Sequence, residues 1–170
     1  MKRNILTLII AVFALTQAAA QTYDNLWKQA DIIARKDQPR SEIGVMKKII
    51  SKASAAKDYG QLLAAEMRQM ILWKEISADS LTPNVERMEA EVLKVKDPAL
   101  KAVRYAVLGK VYSDMDEKKS QEFFKKALEQ PELLAKHTST EYVPLTLKGV
   151  DGSSFNNDLL HLIGFEADSK

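Results

Sequence analysis

Cysteine is the first absence in this sequence, since none of the 170 residues is a cysteine. Disulfide bonds are therefore excluded, and the fold has to be held together by packing alone. The same absence excludes a cysteine nucleophile, a thiolate metal site and an internal thioester, because each of them requires a thiol. It also excludes the lipid-anchored form of bacterial export, which attaches its lipid to a cysteine at the cleavage site.

An excess of charge of one sign is lacking as well. The chain has 25 basic and 23 acidic residues, a formal net charge of +2. Two of the basic residues, Lys2 and Arg3, lie in an N-terminal segment that we expect to be removed. Positive and negative side chains then balance, so no field remains to attract nucleic acid or an anionic membrane surface. We expect neither as a partner.

Histidine is scarce, with only His137 and His161 in the chain. We interpret His137 as part of a polar loop and His161 as a surface or half-buried structural residue of a short helix. The sequence contains no cluster of ligands at the spacing that a metal site requires. It also contains no glycine-rich phosphate loop after a strand and no Gly-x-Ser-x-Gly elbow. The sequence therefore predicts neither a metal nor a cofactor.

Two pairs of carboxylates are the remaining candidates for acid and base chemistry. Glu89 and Glu91 form one pair, and Asp114 and Asp116 form the other. Each pair is separated by two positions, a spacing that directs side chains away from each other on a helix. We therefore expect no catalytic residue in this chain and predict that it is not an enzyme.

What is present, first of all, is a pattern typical of a secretory signal peptide. Lys2 and Arg3 form a short positive region, residues 5–15 are almost wholly apolar, and Ala18, Ala19 and Ala20 supply the small residues of a cleavage site. The alternative is an uncleaved anchor, but the apolar run is about half of the roughly 20 residues needed to span a bilayer. We predict cleavage after Ala20 and a protein exported to the periplasm or beyond, without stable membrane insertion.

Residues 21–134 are predicted to form six amphipathic helices, because their apolar residues recur at helical spacing. Turn and capping residues set the expected boundaries between them. The first helix carries Tyr23 to Ile33, the second follows an N-cap at Ser41, and the third covers residues 61–76 after a break at Tyr59 and Gly60. The fourth starts at Thr82 and Pro83, and the fifth starts at Asp97 and Pro98. The sixth contains Phe123 and Phe124 and is closed by Pro131.

These helices pair as one with two, three with four and five with six, and each pair has about the length of one tetratricopeptide repeat. The third pair fits best, and Gly109 within it indicates close approach of two helices, because a glycine in mid-helix costs about 1 kcal/mol against alanine. We predict an all-α fold of three stacked helical hairpins, an α-solenoid; the alternative is an irregular helical bundle. The matching positions are Tyr105, Leu108, Gly109, Tyr112, Ser120, Phe124, Ala127 and Pro131.

Residues 135–170 do not continue the pattern of long amphipathic helices. We expect a polar loop, a short extended segment at residues 142–145, a turn at residues 151–153 and a docking helix over residues 155–165. Three apolar hairpins and one short helix leave the end of a solenoid uncovered, whereas solenoids need a polar cap. The sequence therefore indicates that this chain leads into further domains.

Two apolar groups are candidates for a binding surface. Met67, Met70 and Trp73 could form an adaptable groove, although they fit equally the core around a helix that is apolar on more than one face. Tyr105 and Tyr112 could line a concave peptide-binding surface, but packing within the third hairpin already accounts for them. We favour the packing interpretation for both groups.

Several short phrases resemble one protein family in order along the chain. They are residues 23–30 (YDNLWKQA), 59–63 (YGQLL), 105–112 (YAVLGKVY) and 155–160 (FNNDLL). Together they resemble the N-terminal helical region of the alpha-2-macroglobulin-like proteins of Bacteroides-type bacteria, which precedes the macroglobulin β-sandwich domains. The resemblance covers essentially the whole chain, but it consists of short phrases rather than catalytic signatures.

Members of that family are thought to trap proteases, with a bait region and, in many members, a cysteine–glutamine thioester. This chain has neither feature, so the resemblance assigns trapping to none of its residues. What the resemblance implies is a non-catalytic exported leader module for scaffolding or docking, with the downstream macroglobulin domains or a separate protein as its partner. The alternative is a free-standing periplasmic module, similar to tetratricopeptide proteins, that binds a protein or peptide.

Overall fold

The computed structural model describes residues 22–146 and 158–168, and within them the chain is all-α, as predicted. In these two ranges no strand is formed, and one isolated β-bridge joins Thr138 to Asp158. The predicted signal peptide and the predicted turn at residues 151–153 lie outside the described residues. The helices are α1 (Tyr23–Ala34), α2 (Pro39–Ala56), α3 (Tyr59–Ile76), α4 (Ala78–Val92), α5 (Pro98–Tyr112), α6 (Glu117–Ala127), α7 (Pro131–Leu134) and α8 (Leu159–Asp168), with a 3-10 turn at Ser139–Tyr142 before α8.

Five helices begin at a side chain that accepts a hydrogen bond from a backbone N–H three residues on. Such a cap satisfies one of the free amides of the first turn and typically contributes about 1 kcal/mol. The caps are Thr22 for α1, Asp58 for α3, Asp97 for α5, Asp116 for α6 and Asp158 for α8. The predicted start at Asp97 and Pro98 is confirmed.

Two other predicted starts are wrong. The second helix begins at Pro39 rather than after Ser41, because a proline whose fixed φ suits the first helical position already starts it. The fourth helix begins at Ala78, and Pro83 lies inside it rather than at its first turn. Ser77, with φ −172° and ψ 132°, is the extended residue that separates α3 from α4.

The predicted break at Tyr59 and Gly60 is also wrong, since both residues belong to the first turn of α3. The change of direction occurs one turn earlier, at Lys57, whose backbone is left-handed with φ 56°. Gly60 is instead a point of close approach. A Cβ built on Gly60 would lie 2.1 Å from the carbonyl oxygen of Val143, so the backbone of the loop before α8 occupies the space of a side chain.

Each helix from α1 to α6 packs against the next one along the chain, and α3 also packs against α5. The apolar side chains form three core clusters. The first joins α1, α2 and α3 and contains Leu26, Met46, Ile49 and Leu72. The second joins α4, α5 and α6 to Met70 of α3 and also contains Val85, Met88, Leu108 and Phe123. The third joins α3, α5, α6, α7, the 3-10 turn and α8 and contains Leu63, Val103, Phe124, Leu159 and Ile163.

Gly109 lies at the closest contact between α5 and α6, as its position in the sequence predicted. A Cβ at Gly109 would be 2.7 Å from Cδ2 of Phe124 and 2.8 Å from Cε2. The hydroxyl of Ser120, on α6, donates a buried hydrogen bond of 2.7 Å to the carbonyl oxygen of Gly109. Because Gly109 has no side chain, the ring of Phe124 and the hydroxyl of Ser120 can approach the backbone of α5.

The segment at residues 142–145, predicted to be extended, is extended at Val143, with φ −66° and ψ 135°, but Tyr142 ends the 3-10 turn and residues 143–145 lie in a further turn. The 3-10 turn itself is organised by a capping box, in which Glu141 accepts a hydrogen bond of 2.8 Å from the N–H of Thr138. Local side-chain hydrogen bonds of this kind compete with an extended backbone. Tyr142 is 5% exposed and packs in the third core cluster.

The docking helix is present as α8, starting at Leu159, while residues 155–157 lie outside the described residues. Leu159 and Ile163 are buried and pack in the third core cluster, against α5 and α6. The N–H of Leu159 donates to the carbonyl oxygen of His137 at 2.9 Å. Pro131, predicted to close the sixth helix, instead begins the short helix α7, and three residues separate it from Ala127, the last residue of α6.

Candidate docking cleft

A cleft of about 740 Å³ lies between α3, the N-terminal part of α4 and the C-terminal end of α5. The turn from α5 to α6, residues 113–116, closes one end of it. Its walls are mainly apolar, and charged side chains line the remainder. The apolar lining is Met67, Met70, Ile71, Leu81, Val111, Met115 and Phe124; the polar lining is Lys74, Lys110, Ser113, Asp114, Glu117 and Glu166.

The apolar lining has a buried floor and an exposed lip. Met70 and Leu81 are 2% and 5% exposed and belong to the second core cluster, so they form the floor. Ile71 and Met115 are 46% and 41% exposed and form the lip. Isolated apolar residues are normal at a protein surface. Ile71 and Met115 differ from the other exposed apolar residues, such as Ile32 and Leu93, because both of them line the same cleft.

Two ion pairs lie at the rim of the cleft. Lys74 on α3 contacts Asp114 of the α5–α6 turn at 3.0 Å, and Lys110 on α5 contacts Glu166 on α8 at 2.8 Å. All four side chains are at least one-third exposed. Exposed pairs of this kind contribute about 0–1 kcal/mol, so they exchange readily with water or with charges of a partner.

A buried ion pair joins α3 to α5, the two helices that contribute most of the walls. Glu66 on α3 is 3% exposed, and its Oε2 accepts a hydrogen bond of 3.2 Å from the guanidinium of Arg104 on α5. Burial raises the pKa of Glu66, and the attraction of Arg104 offsets part of that rise. Glu91 and Arg87 on α4 also act on this carboxylate, in opposite directions. Because it joins α3 to α5, this pair fixes the spacing of the walls.

The candidate groove of Met67, Met70 and Trp73 is found in part. Met67 and Met70 lie one turn apart on α3 and both line the cleft. Trp73 packs instead against the first core cluster. Ile71 and Met115 were not among the residues predicted to line a binding groove. A large apolar residue between two acids, as in Asp114-Met115-Asp116, was the signal that could have pointed to the lip.

Tyr105 and Tyr112 pack within the third pair of helices, which is the interpretation we favoured. The ring of Phe123 stacks against both, with centroids 6.0 Å from Tyr105 and 5.5 Å from Tyr112. The hydroxyl of Tyr112 donates to Glu89 and accepts a hydrogen bond of 3.1 Å from Lys119. Burial, followed by the bond to Glu89, raises the pKa of Tyr112. These contacts tie α4 to α5 and α6.

The four paired carboxylates contact different groups within each pair. Glu89 and Glu91 lie on α4, where positions two apart point in different directions, whereas Asp114 and Asp116 lie in the turn between α5 and α6. Glu89 contacts Tyr112 and Lys119, Glu91 pairs with Arg87 at 2.7 Å, Asp114 pairs with Lys74, and Asp116 caps α6.

Neither histidine is among the described residues that line the cleft. His137 lies 2.9 Å from a carboxylate oxygen of Glu141 in the loop before α8, and this hydrogen bond is the main cause of a lowered pKa of Glu141. His161 is an exposed residue of α8. Among the residues that the structure describes, no three histidine or carboxylate side chains are grouped so as to hold a metal ion.

A scan against protein-family models and searches of curated proteins and of solved structures found no match to this chain. Across residues 22–146 and 158–168, no helix has both the length and the apolar character needed to cross a membrane.

Proposed function

We propose that this chain is a non-catalytic, exported helical module that docks another protein surface at the cleft between α3 and α5. The observation that carries the proposal is the exposure of Ile71 and Met115 at the lip of an apolar cleft. A partner that covers them removes apolar surface from water, at about 25 cal/mol for each Å². The weak rim pairs at Lys74 and Lys110 can then be exchanged for charges of the partner.

We further propose that the six long helices are three stacked hairpins of the tetratricopeptide kind, formed by α1 with α2, α3 with α4 and α5 with α6. The contact of Gly109 with Phe124 supports this arrangement, because both residues hold repeat positions. The packing of α3 against α5, the first helices of two successive hairpins, also supports it. In this arrangement the cleft lies where the second and third hairpins meet.

The proposed partner follows from the phrases that resemble the alpha-2-macroglobulin-like family. In that family the helical leader precedes the β-sandwich domains, so the first candidate for the cleft is the surface of a downstream macroglobulin domain. The second candidate is a separate protein bound by a free-standing module. The same apolar lip, Ile71 and Met115, would be covered in both cases.

The docking test uses two isoleucines that are exposed to a similar extent. Ile71 borders the cleft on α3, and Ile32 is 55% exposed on α1. We expect Ile71→Glu to weaken binding of the fluorescent apolar probe N-phenyl-1-naphthylamine by about tenfold or more, and Ile32→Glu to leave it unchanged. Equal probe affinity in both variants and the parent protein would contradict the proposal.

The partner test applies if the reading frame continues past Lys170. The downstream macroglobulin-like region, purified separately, is expected to bind this module in a titration calorimeter, and Ile71→Glu should reduce that affinity while Ile32→Glu should not. If the downstream region does not bind, the leader interpretation is wrong and the free-standing module is favoured.

The export test is independent of the cleft. The full chain is expressed in a Gram-negative host, and the intact mass of the periplasmic protein is measured. We expect the loss of residues 1–20, with Gln21 as the new N-terminus. A full-length mass in the membrane fraction would instead support the uncleaved anchor.

A further inference from the structure

We propose that Met115 is a selective oxidation site, at which a peroxide converts the lip of the cleft from an apolar to a polar surface. Selective oxidation follows from the exposure of the side chain and does not depend on the proposed function. The effect on docking rests on the proposed function of the cleft. The two parts are therefore tested separately below.

Exposure separates Met115 from the other methionines that the structure describes. Met46, Met70 and Met88 are 0%, 2% and 2% exposed and lie in the core clusters. Met67 is half-buried and packs against the second core cluster. Met115 is 41% exposed. Because oxidation of a thioether requires contact with the oxidant, Met115 is the described methionine that reacts first.

The location of Met115 lets it change without unfolding the protein. It lies in the turn between α5 and α6, and none of the three core clusters, as far as the structure describes them, includes its side chain. Its main chain is held by a hydrogen bond of 2.9 Å from its N–H to the carbonyl oxygen of Tyr112. Oxidation of the sulfur leaves that bond intact, so the turn keeps its form.

The reaction is a two-electron oxygen transfer. A lone pair of the Met115 sulfur attacks one oxygen of hydrogen peroxide, an S–O bond forms, and the O–O bond breaks. The departing hydroxide takes up the proton of the transferred oxygen, which gives one methionine sulfoxide and one water. Sulfur is oxidised and the peroxide is reduced. The chain has no cysteine, so no thiol of this protein consumes the oxidant first.

The sulfoxide changes what the cleft can bind. The new oxygen is a strong hydrogen-bond acceptor, and it would add a polar atom to the mainly apolar lining that Met115 shares with Ile71. A partner that covers the lip with apolar side chains would bury this oxygen without a donor, which weakens binding by about tenfold or more. Methionine sulfoxide reductase reverses the change, so the modification acts as a switch.

The first experiment measures selectivity alone. The purified protein is treated with hydrogen peroxide, quenched and digested, and the sulfoxide fraction at each methionine is measured by mass spectrometry. We expect Met115 to oxidise at least about tenfold faster than Met46, Met70 and Met88. The same treatment in urea should remove the difference. Equal rates in the folded protein, or faster oxidation of Met67, would overturn the proposal.

The second experiment measures binding of N-phenyl-1-naphthylamine before and after oxidation. We expect the oxidised parent protein to bind the probe about tenfold more weakly than the same protein before treatment. Met115→Leu has no thioether at this position, so its affinity after treatment should equal its own affinity before treatment. Sulfoxide at Met115 with unchanged affinity would overturn the switch. If the untreated protein does not bind the probe, the proposed function of the cleft fails, while the selectivity measured in the first experiment is unaffected.

Discussion

Replacement of Gly60 by alanine should destabilise the protein more than any ordinary surface substitution. An added Cβ would lie 2.1 Å from the carbonyl oxygen of Val143 and 2.7 Å from the carbonyl carbons of Tyr142 and Val143. These are backbone atoms, so no rotation of a flexible side chain can relieve the overlap. The loop that contains Ser139 and Tyr142 has to move away from α3.

The size of the effect follows from what that movement exposes. Tyr142 is 5% exposed and packs in the third core cluster, together with Leu63 and Leu159. Partial exposure of a large side chain and the strain of overpacking each cost roughly 1–3 kcal/mol. We therefore expect Gly60→Ala to lower the free energy of unfolding by about 2–6 kcal/mol. For a domain of this length, at about 3 °C for each kcal/mol, that is a fall in Tm of about 6–18 °C.

Gly44 provides the matched control. It lies in the interior of α2, and a Cβ there would meet no atom within 4 Å. Alanine at this position gains helix propensity without a clash, so Gly44→Ala should raise the free energy of unfolding by about 1 kcal/mol. Thermal and urea unfolding followed by circular dichroism at 222 nm measure both variants. A Gly60→Ala protein as stable as the parent would refute the close approach of α3 to the loop.

Two further predictions concern charged side chains. Burial raises the pKa of Glu66 above its ordinary 4.5, so ionisation of this carboxyl lowers the stability of the parent protein as the pH rises from 4 to 7. Glu66→Gln has no group to ionise at this position, so its stability relative to the parent should increase over the same range. Thermal melts across this range check it, and a constant difference in Tm would contradict it. Asp97→Ala should lower the free energy of unfolding, measured in urea, by about 1 kcal/mol, because Asp97 accepts a hydrogen bond of 2.8 Å from the N–H of Leu100. An unchanged midpoint of urea unfolding would show that this cap does not stabilise the protein.

Local signals in the sequence were sufficient where a helix depends on its own residues. The fifth helix begins at Asp97 and Pro98 as predicted, because an aspartate cap and a proline in the first position act within one turn. Gly109 was recognised for a similar reason: its unfavourable position in mid-helix requires a compensating contact, and that contact is with Phe124.

Local sequence signals led to wrong predictions where a segment far away in the sequence determines the structure. Gly60 was interpreted as a helix break, since its true partner, the backbone at Val143, is far away in the sequence. Tyr142 was assigned to an extended segment, although it lies in a 3-10 turn and its aromatic side chain packs in the third core cluster. In both cases the residue type reflects packing against a remote element rather than local backbone preference.

The cleft could be predicted only in part, for a geometrical reason. Residues 70–73 are all apolar, so periodicity alone does not distinguish the buried Met70 and Leu72 from the exposed Ile71. Met115 follows α5 in a turn, where no periodicity applies. These residues share one cleft because α3 packs against α5, a contact that the sequence does not specify.

The exposure of the lip has to be explained by something other than the stability of this module. Met70 and Leu81 already complete the second core cluster beneath it, and α8 covers the neighbouring faces of α5 and α6. Ile71 and Met115 therefore add little to folding, while they keep apolar surface in contact with water. Replacing both by polar residues of similar size should leave the Tm nearly unchanged and should abolish binding of the apolar probe. A large fall in Tm would instead assign these side chains to the core, and docking at the cleft would lose its main support.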